Sequence, residues 1–402
     1  MLLETIPEAA ESLMPDMVAL RRAIHREPEL GLHNPLTAAK IRQALERLPV
    51  SLYAGPSTSG IVGVLEGGAG PGRTVLLRGD TDALPMPEET GLPFASQVPG
   101  AAHTCGHDSH TAMLVGAARL LCARREEIRG RVVFMFQPGE EGHHGARFMI
   151  EDGLLDPLPD AAFALHIMPN APHGVFSGRV GALLASTDLL HIDIIGRGGH
   201  ASMPHDAVDP LPIACEAVLA IQSFVTRRVP VASPAVVTIA RITGGTTDNV
   251  IADRVSMTGT IRTLSRETRT LIADRLPALI AAIAEAHGAR AEVRIETGFP
   301  VTVCDARAVE FGRAVATELY GAEAWTTLDA ATMGGEDFAY VLEKVPGAMF
   351  FLGASAQGSD WRSCSALHST RMVLDEAVMA RGAALHAAVA TRFLDQGFAE
   401  FS

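Results

Sequence analysis

Short apolar runs, each followed at once by polar residues, recur along the chain. Thr74-Val-Leu-Leu-Arg78 leads into Gly79-Asp80-Thr81-Asp82, and Arg131-Val-Val-Phe-Met-Phe136 into Gln137-Pro-Gly-Glu140-Glu141. Ala161-Ala-Phe-Ala-Leu165 is followed by His166, and Ala348-Met-Phe-Phe-Leu352 by a loop that later reaches His368. Runs of this kind, bounded by turn residues and separated by helix-like segments such as 111–124, predict the buried strands of an α/β sheet. Ligands of such sheets bind beyond the carboxyl ends of the strands, which is where these polar residues fall.

Around this frame the pattern changes period. Leu13, Met17, Leu20 and Ile24 recur at helical spacing, with Arg21, Arg22 and Arg26 on other faces, and predict an amphipathic helix within 11–30 that stops near Pro28. A second helix is expected over 35–48, a strand over Ile61–Leu65 and a loop over 67–72. Near Ser186 a different texture begins. Residues 187–196 alternate as a half-buried strand, 209–228 reads as a helix, 235–243 and 250–263 as strands, 266–287 as a helix and 291–297 as a strand. The order β-α-β-β-α-β is the ferredoxin-like signature. It predicts an inserted domain over 186–298 between two halves, 1–185 and 299–402, of an α/β domain. Helices resume from Ala308 and again from Asp375.

Composition adjusts this picture at three points. A chain of 402 residues is long for one core, which agrees with two domains. A net charge of -13, with no Lys/Arg cluster beyond pairs such as Arg227-Arg228, argues against a nucleic-acid partner. The five cysteines are widely spaced and form no CxxC, so a disulfide framework is not expected and a reducing cytoplasm fits. The start of the chain lacks a basic-then-apolar run, and no stretch approaches about 20 uninterrupted apolar residues, so neither export nor a membrane span is expected.

The densest chemistry is His103-Thr-Cys-Gly-His-Asp-Ser-His110. If the stretch is extended up to a helix start, His103, Cys105 and His107 share one side, and Asp108 or Ser109 can cap the helix. That arrangement suits a metal; the alternative is an inert buried cysteine among chance histidines. Glu140 and Glu141 would point opposite ways in an extended segment, one toward a metal and one toward the water it activates. With Cys105, His107, His166 and His368, they supply more candidate ligands than the four of a closed zinc site. Two metals sharing ligands and one metal with an open position are both compatible with this set. Thiolate and imidazole favour zinc, cobalt, nickel or manganese over magnesium or calcium. Asp82 is placed to fix the tautomer of a ligand histidine, the alternative being an Asx turn. His25, His33 and His110 read as structural, and His143 and His144 as loop residues. Gly196-Arg-Gly-Gly-His200-Ala-Ser-Met-Pro204 exposes an imidazole but lacks the Lys-Ser/Thr of a phosphate loop. Asn249 opens a strand, and Arg262, toward its end, carries the fork that suits a substrate carboxylate.

Several motifs together resemble a known family. They are Leu30-Gly, Arg78-Gly-Asp-Thr-Asp-Ala-Leu-Pro85, His103-Thr-Cys-Gly-His-Asp108, Gln137-Pro-Gly-Glu-Glu-Gly142, Gly199-His-Ala-Ser202, Gly259-Thr-Ile-Arg262-Thr and Met333-Gly-Gly-Glu-Asp-Phe338. The chain resembles the two-domain metallo-aminoacylases and carboxypeptidases, in the branch of hippurate hydrolases and indoleacetyl-amino-acid hydrolases. The resemblance implies a metallopeptidase-like α/β catalytic domain with an inserted ferredoxin-like (βαββαβ) lid and dimerisation domain. It implies two divalent ions (Mn, Zn, Co or Ni) held by Cys105, His107, Glu141, His166 and His368, with Glu140 as general base supported by Asp82. It further implies that His200 stabilises the oxyanion, often in a dimer partner's site, and that Asn249 and Arg262 hold the carboxyl end of the substrate. In relatives with a two-metal site the position matching Asp80 is a histidine ligand and a bridging aspartate stands near Cys105; here Asp80 replaces that histidine, and Cys105 and His107 supply the thiolate and imidazole that mark the amidohydrolase branch. His143-His144 departs from the small residues usual there. The implied reaction is hydrolysis of an N-acyl or N-aroyl amino acid by a homodimer or larger homo-oligomer. A dipeptidase or carboxypeptidase uses the same chemistry, and a non-catalytic binding protein would have lost a ligand or the base, none of which is missing.

Overall fold

A computed structural model describes residues 3–399. The chain forms two compact units, one of Met1–Leu183, Val303–Ala330 and Asp337–Ser402, the other of Leu184–Thr302 and Ala331–Glu336.

The first unit is built on an eight-stranded mixed sheet. Its strand order is Ser51–Tyr53, Ile61–Glu66, Arg131–Gln137, Thr74–Asp80, Ala161–Met168, Gly347–Gly353, Phe176–Gly178 and Trp325–Thr327. The four central strands, from Arg131–Gln137 to Gly347–Gly353, run parallel to one another. Strands covered on both faces must be apolar along nearly their whole length, which is why each appeared as an unbroken run. The runs are longer than their apolar parts: Asp80 and His166 lie inside strands rather than after them.

Three helices pack closely beside this sheet. A Cβ at Gly116, in the helix His107–Cys122, would stand 2.4 Å from the Met17 sulfur and 3.1 Å from Ala383 Cβ. One at Gly382, in the helix Val378–Gln396, would stand 2.1 Å from the Met113 sulfur. Absent side chains at both positions let the backbones approach. The N-terminal helix is in fact two, Ile6–Ser12 and Met14–Arg26, because Pro15 suits the first turn of a new helix and cannot continue an old one. The next helix ends at Leu45, short of the expected 48.

The second unit has an antiparallel sheet ordered Ala235–Gly244, Arg254–Thr263, Ser186–Ile195, Arg290–Thr297. Along Ser186–Ile195 burial alternates, and Leu190, Ile192 and Ile194 join Ile213, Ile221, Ile272 and Leu276 from helices Pro210–Arg228 and Arg266–Ala286 in one core. The Asp209 and Ser265 side chains cap those helices by accepting from Leu211 N and Thr268 N. The strand expected over 250–263 is broken: Val250–Ile251 pairs with Gly199–His200, and only Arg254–Thr263 joins the sheet.

All five cysteines are free, and among the described residues no helix is long and apolar enough to cross a membrane. Buried charge fastens the helix Met14–Arg26 in place. Arg21 donates from Nε to Asp108 at 3.0 Å and from Nη1 to Glu376 at 2.9 Å, while His25 Nδ1 lies 2.8 Å from Asp108 Oδ2 and Nε2 3.2 Å from Glu88. Burial alone would lower the His25 pKa, but Asp108 and Glu88 outweigh it and raise it to about 9. A folded-state pKa above the usual value means His25 stabilises the fold fully below about pH 6.5, and that this contribution is lost as pH rises through about 9. Melting temperatures measured from pH 7 to 10 should therefore fall more steeply in the wild type than in His25→Gln, by roughly a few degrees. Parallel profiles for the two proteins would contradict a charged His25.

Candidate metal centre

The carboxyl ends of the parallel strands share one edge of the sheet, and the chemistry gathers there. The helix His107–Cys122 begins at His107 itself, preceded by Gly106 with φ of 89°. A Cβ on Gly106 would stand 2.6 Å from Ile167 Cγ1, so both the left-handed backbone and the close approach require glycine. This turn separates the residues of the dense stretch. Cys105 and His107 face the centre, whereas His103 does not: its ring lies 6.1 Å from that of His25, and burial pushes its pKa down to about 3. Neither Asp108 nor Ser109 caps the helix, contrary to expectation. The Asp108 carboxylate is taken by Arg21 and His25, and Ser109 Oγ donates to Gly106 O at 2.5 Å.

Five groups of ligand atoms form among the described residues, each with all atoms within 4.8 Å of one another; two of them share Cys105, one with His107 and His166 and one with Glu141 and His368, while the others are Asp80, His107 and His110; His107, Glu140 and Glu141; and Glu140, Glu336 and Asp337. Cys105 Sγ lies 3.3 Å from His166 Nε2, and His368 Nε2 lies 3.3 Å from Glu141 Oε1. Metal–ligand bonds of about 2.0–2.3 Å in a tetrahedron give ligand separations of roughly 3.3–3.8 Å, so these spacings suit ions of that kind. The donor atoms are also left over by the protein. His107 Nε2 and Glu141 Oε1 are buried with no hydrogen-bond partner.

Hydrogen bonds on the far side of each ring determine which nitrogen faces inward. His107 Nδ1–H donates to Asp82 O at 2.9 Å, and His166 Nδ1–H to Ile167 O at 2.7 Å, so both rings present an Nε2 lone pair. His110 is engaged at both nitrogens: Nδ1–H donates to Asp80 Oδ1 at 2.6 Å and Nε2 accepts from Ile167 N at 2.9 Å. Neither nitrogen is left without a partner in the protein.

Asp82 faces His107 Nδ1 with both its groups, the backbone carbonyl oxygen at 2.9 Å and the carboxylate Oδ1 at 3.5 Å, the carbonyl making the shorter contact. The carboxylate also accepts from Glu140 N at 3.0 Å and Glu141 N at 3.1 Å. Those two glutamates are not extended: their strand ends at Gln137, and they sit in a turn between Gly139 and Gly142, both with positive φ. Alternation therefore does not separate them, and a carboxylate oxygen of each lies 4.0 Å from His107 Nε2.

The protein's own charges bias the centre. For Glu141, burial raises the pKa but His368 and His107 hold it below the usual value. His368, on a residue with φ of 63°, is raised to about 10 chiefly by the neighbouring Cys105 and Glu141. Burial lowers His166 and raises Cys105.

Asn249 and His200 are neighbours within the second unit, since Val250 pairs with His200 and Ala201 N donates to Asn249 O at 3.0 Å. His200 Nδ1 accepts from Ser202 N at 3.1 Å, which puts its proton on Nε2. Arg262 lies in Arg254–Thr263 opposite Val236 and Thr187, partly buried. The sequence reading missed Arg78, Gln137 and Asp337, all buried and hydrogen-bonded together. Their signal was present in Arg78, a charge at the end of an otherwise apolar run.

Residues 76–392 match Peptidase family M20/M25/M40. The chain belongs to this family. It is 36% identical over 383 residues to the "Thermostable carboxypeptidase 1" of Saccharolobus solfataricus, covering 94% of this chain and 95% of that one. It is also 36% identical over 362 residues to the "N-acetylcysteine deacetylase" of Bacillus subtilis, covering 90% and 92%. The crystal structure of the Bacillus subtilis YXEP protein, a dinuclear metal-binding M20 peptidase, superposes with a TM-score of 0.82 at 33% identity, covering 96% of this chain and 99% of that one. This M20 chain is a metal-dependent amidohydrolase, and two ligand groups joined by one thiol accord with two divalent ions.

Proposed function

We propose that this M20 chain hydrolyses the amide bond of N-acyl or N-aroyl amino acids, releasing a carboxylic acid and a free amino acid. The observation that carries the reading is the pair of ligand groups sharing Cys105, one fully buried and one opening to solvent at His368, with Glu140 beside them and within 4.0 Å of His107 Nε2. Cys105, His107 and His166 would hold one ion, and Cys105, Glu141 and His368 the other. Zinc, manganese, cobalt and nickel all suit the donors. Bound there, divalent ions supply Lewis acidity, polarising the scissile carbonyl and acidifying water.

The chain's own residues do the rest. Glu140, held at its amide by Asp82, takes the proton of the attacking water and returns it to the leaving amine. His200, protonated at Nε2, is assigned to the oxyanion, and Asn249 and Arg262 to the substrate's carboxyl end. We assign the inserted unit the roles of lid and dimerisation domain in a homodimer or larger homo-oligomer, and the free thiols suit a cytoplasmic location. The thermostable carboxypeptidase relative favours a second reading, in which the acyl group is itself an aminoacyl residue.

A panel of N-acetyl, N-benzoyl and indoleacetyl amino acids beside free dipeptides separates the two readings. Faster turnover of the N-acyl compounds is expected; preference for dipeptides would transfer the assignment to the second. Glu140→Gln should lose more than about a hundredfold in kcat while keeping its metal, and near-normal turnover would remove Glu140 as the base. Elemental analysis should find two ions per chain in the wild type and both weakened in Cys105→Ser; two tightly held ions in that variant would exclude a shared thiolate. Arg262→Ala should raise KM for substrates with a free carboxylate and leave amide-capped ones little changed. Equal losses on both would rule out the carboxylate contact.

A further inference from the structure

A buried arginine joins the two walls of the metal centre. Arg78 is 1% exposed and donates from Nη1 to Asp80 Oδ2 at 2.6 Å, from Nε to Gln137 Oε1 at 2.9 Å and from Nη2 to Asp337 Oδ1 at 3.2 Å. On one side, Asp80 orients His110, whose Nε2 receives the amide proton of Ile167, the residue after His166. That side is the imidazole wall. On the other, Asp337 Oδ1 also accepts from Gln137 Nε2 at 2.6 Å, and Oδ2 accepts from Ala146 N at 2.9 Å. Ala146 lies in the first turn of the helix Gly145–Glu151, directly beyond the turn that carries Glu140 and Glu141. Gly145 N closes that turn by donating to Gly139 O at 3.1 Å. An oxygen of Asp337 also lies within 4.8 Å of one of Glu140.

We propose that Asp337, held by Arg78 and Gln137 and holding the Ala146 amide, is a positioning residue that sets the Glu140–Glu141 turn against Cys105 and His368. The proposal rests on the dinuclear reading above. Asp337 is in neither of the two groups that share Cys105, and in its own group with Glu140 and Glu336 its oxygens are already taken by Arg78, Gln137 and the Ala146 amide, so it acts on the two ions through the turn. Its loss should release the ion held by Cys105, Glu141 and His368 and spare the ion held by Cys105, His107 and His166, whose wall is fastened separately by the Asp82 and Ile167 carbonyls. In Asp337→Asn the amide Nδ2 would confront Arg78 Nη2 and Gln137 Nε2, donor against donor, or else turn its donor toward Ala146 N. Both placements disturb the turn without changing side-chain volume.

Titration of metal-free protein with Co(II), followed by the thiolate charge-transfer and d–d bands, reads the two ions separately from activity. Wild type should bind two. Asp337→Asn should retain one with its thiolate band and bind the second at least tenfold more weakly, with kcat reduced and KM little changed. Gln137→Met, which removes the same bracing without leaving a new donor, should shift the second ion in the same direction and carries the test if Asp337→Asn does not fold. Two ions bound with wild-type affinity and bands in both variants would overturn the proposal, as would parallel weakening of both ions. A wild type that binds fewer than two ions would overturn the dinuclear reading instead.

Discussion

The parallel register of three central strands is the constraint on which the centre depends. Thr74–Asp80 pairs on one side with Arg131–Gln137, so that Asp80 stands opposite Gln137, and on the other with Ala161–Met168, so that Arg78 stands opposite Ala164. A parallel ladder brings the carboxyl ends of neighbouring strands to the same edge, and the loops that leave those ends deliver Asp82, Cys105, Glu140 and Glu141 together. His166 is already at that edge, within its own strand and opposite Phe351. A slip of one residue between Thr74–Asp80 and Arg131–Gln137 would turn Arg78 to the other face and separate Asp80 from Gln137.

Placing charge in so apolar a sheet requires that every charge be answered. Arg78 lies between Asp80 and Asp337, and Arg21 between Asp108 and Glu376; Arg78, Asp80, Asp337, Arg21 and Asp108 are all nearly inaccessible to water. Such pairs add little stability over a well-packed apolar core, but losing one partner leaves the other charge stranded, at a cost of about 3–5 kcal/mol. They therefore act as pins. Arg21 ties the helix that begins at His107 to the segment after His368, and Arg78 ties the imidazole wall to the carboxylate turn. Both pins join parts of the chain far apart in sequence that must meet at one pair of ions.

The same economy governs the rings. Carbonyl oxygens at Asp82 and Ile167 take the Nδ1 protons of His107 and His166, which commits both Nε2 atoms to the centre before any ion arrives. His110, one turn along the same helix, has both nitrogens committed to hydrogen bonds within the protein. What distinguishes the two proposed ligand histidines from His110 here is the second hydrogen bond, since all three rings are buried.

Much of this was legible from the chain alone. Unbroken apolar runs specified the parallel strands because burial on both faces leaves no room for alternation, and alternation marked Ser186–Ile195 because one of its faces meets the helices. The proposed ligands, Cys105 and His107 beside distant Glu141, His166 and His368, could be named from chemistry and resemblance, since metal donors form a short list of residue types. Three matters were decided only by tertiary structure. The left-handed turn at Gly106, required by its contact with Ile167, separated His103 from Cys105 and His107, where local spacing had placed them on one side. The turn at Gly139–Gly142 brought Glu140 and Glu141 to the same imidazole, where an extended chain would have divided them. Asp337 found Arg78 across 259 positions of sequence. Local pattern reports which face of a strand or helix is apolar; it carries no record of which distant charge will answer a buried one, because that pairing exists only once the sheet has closed.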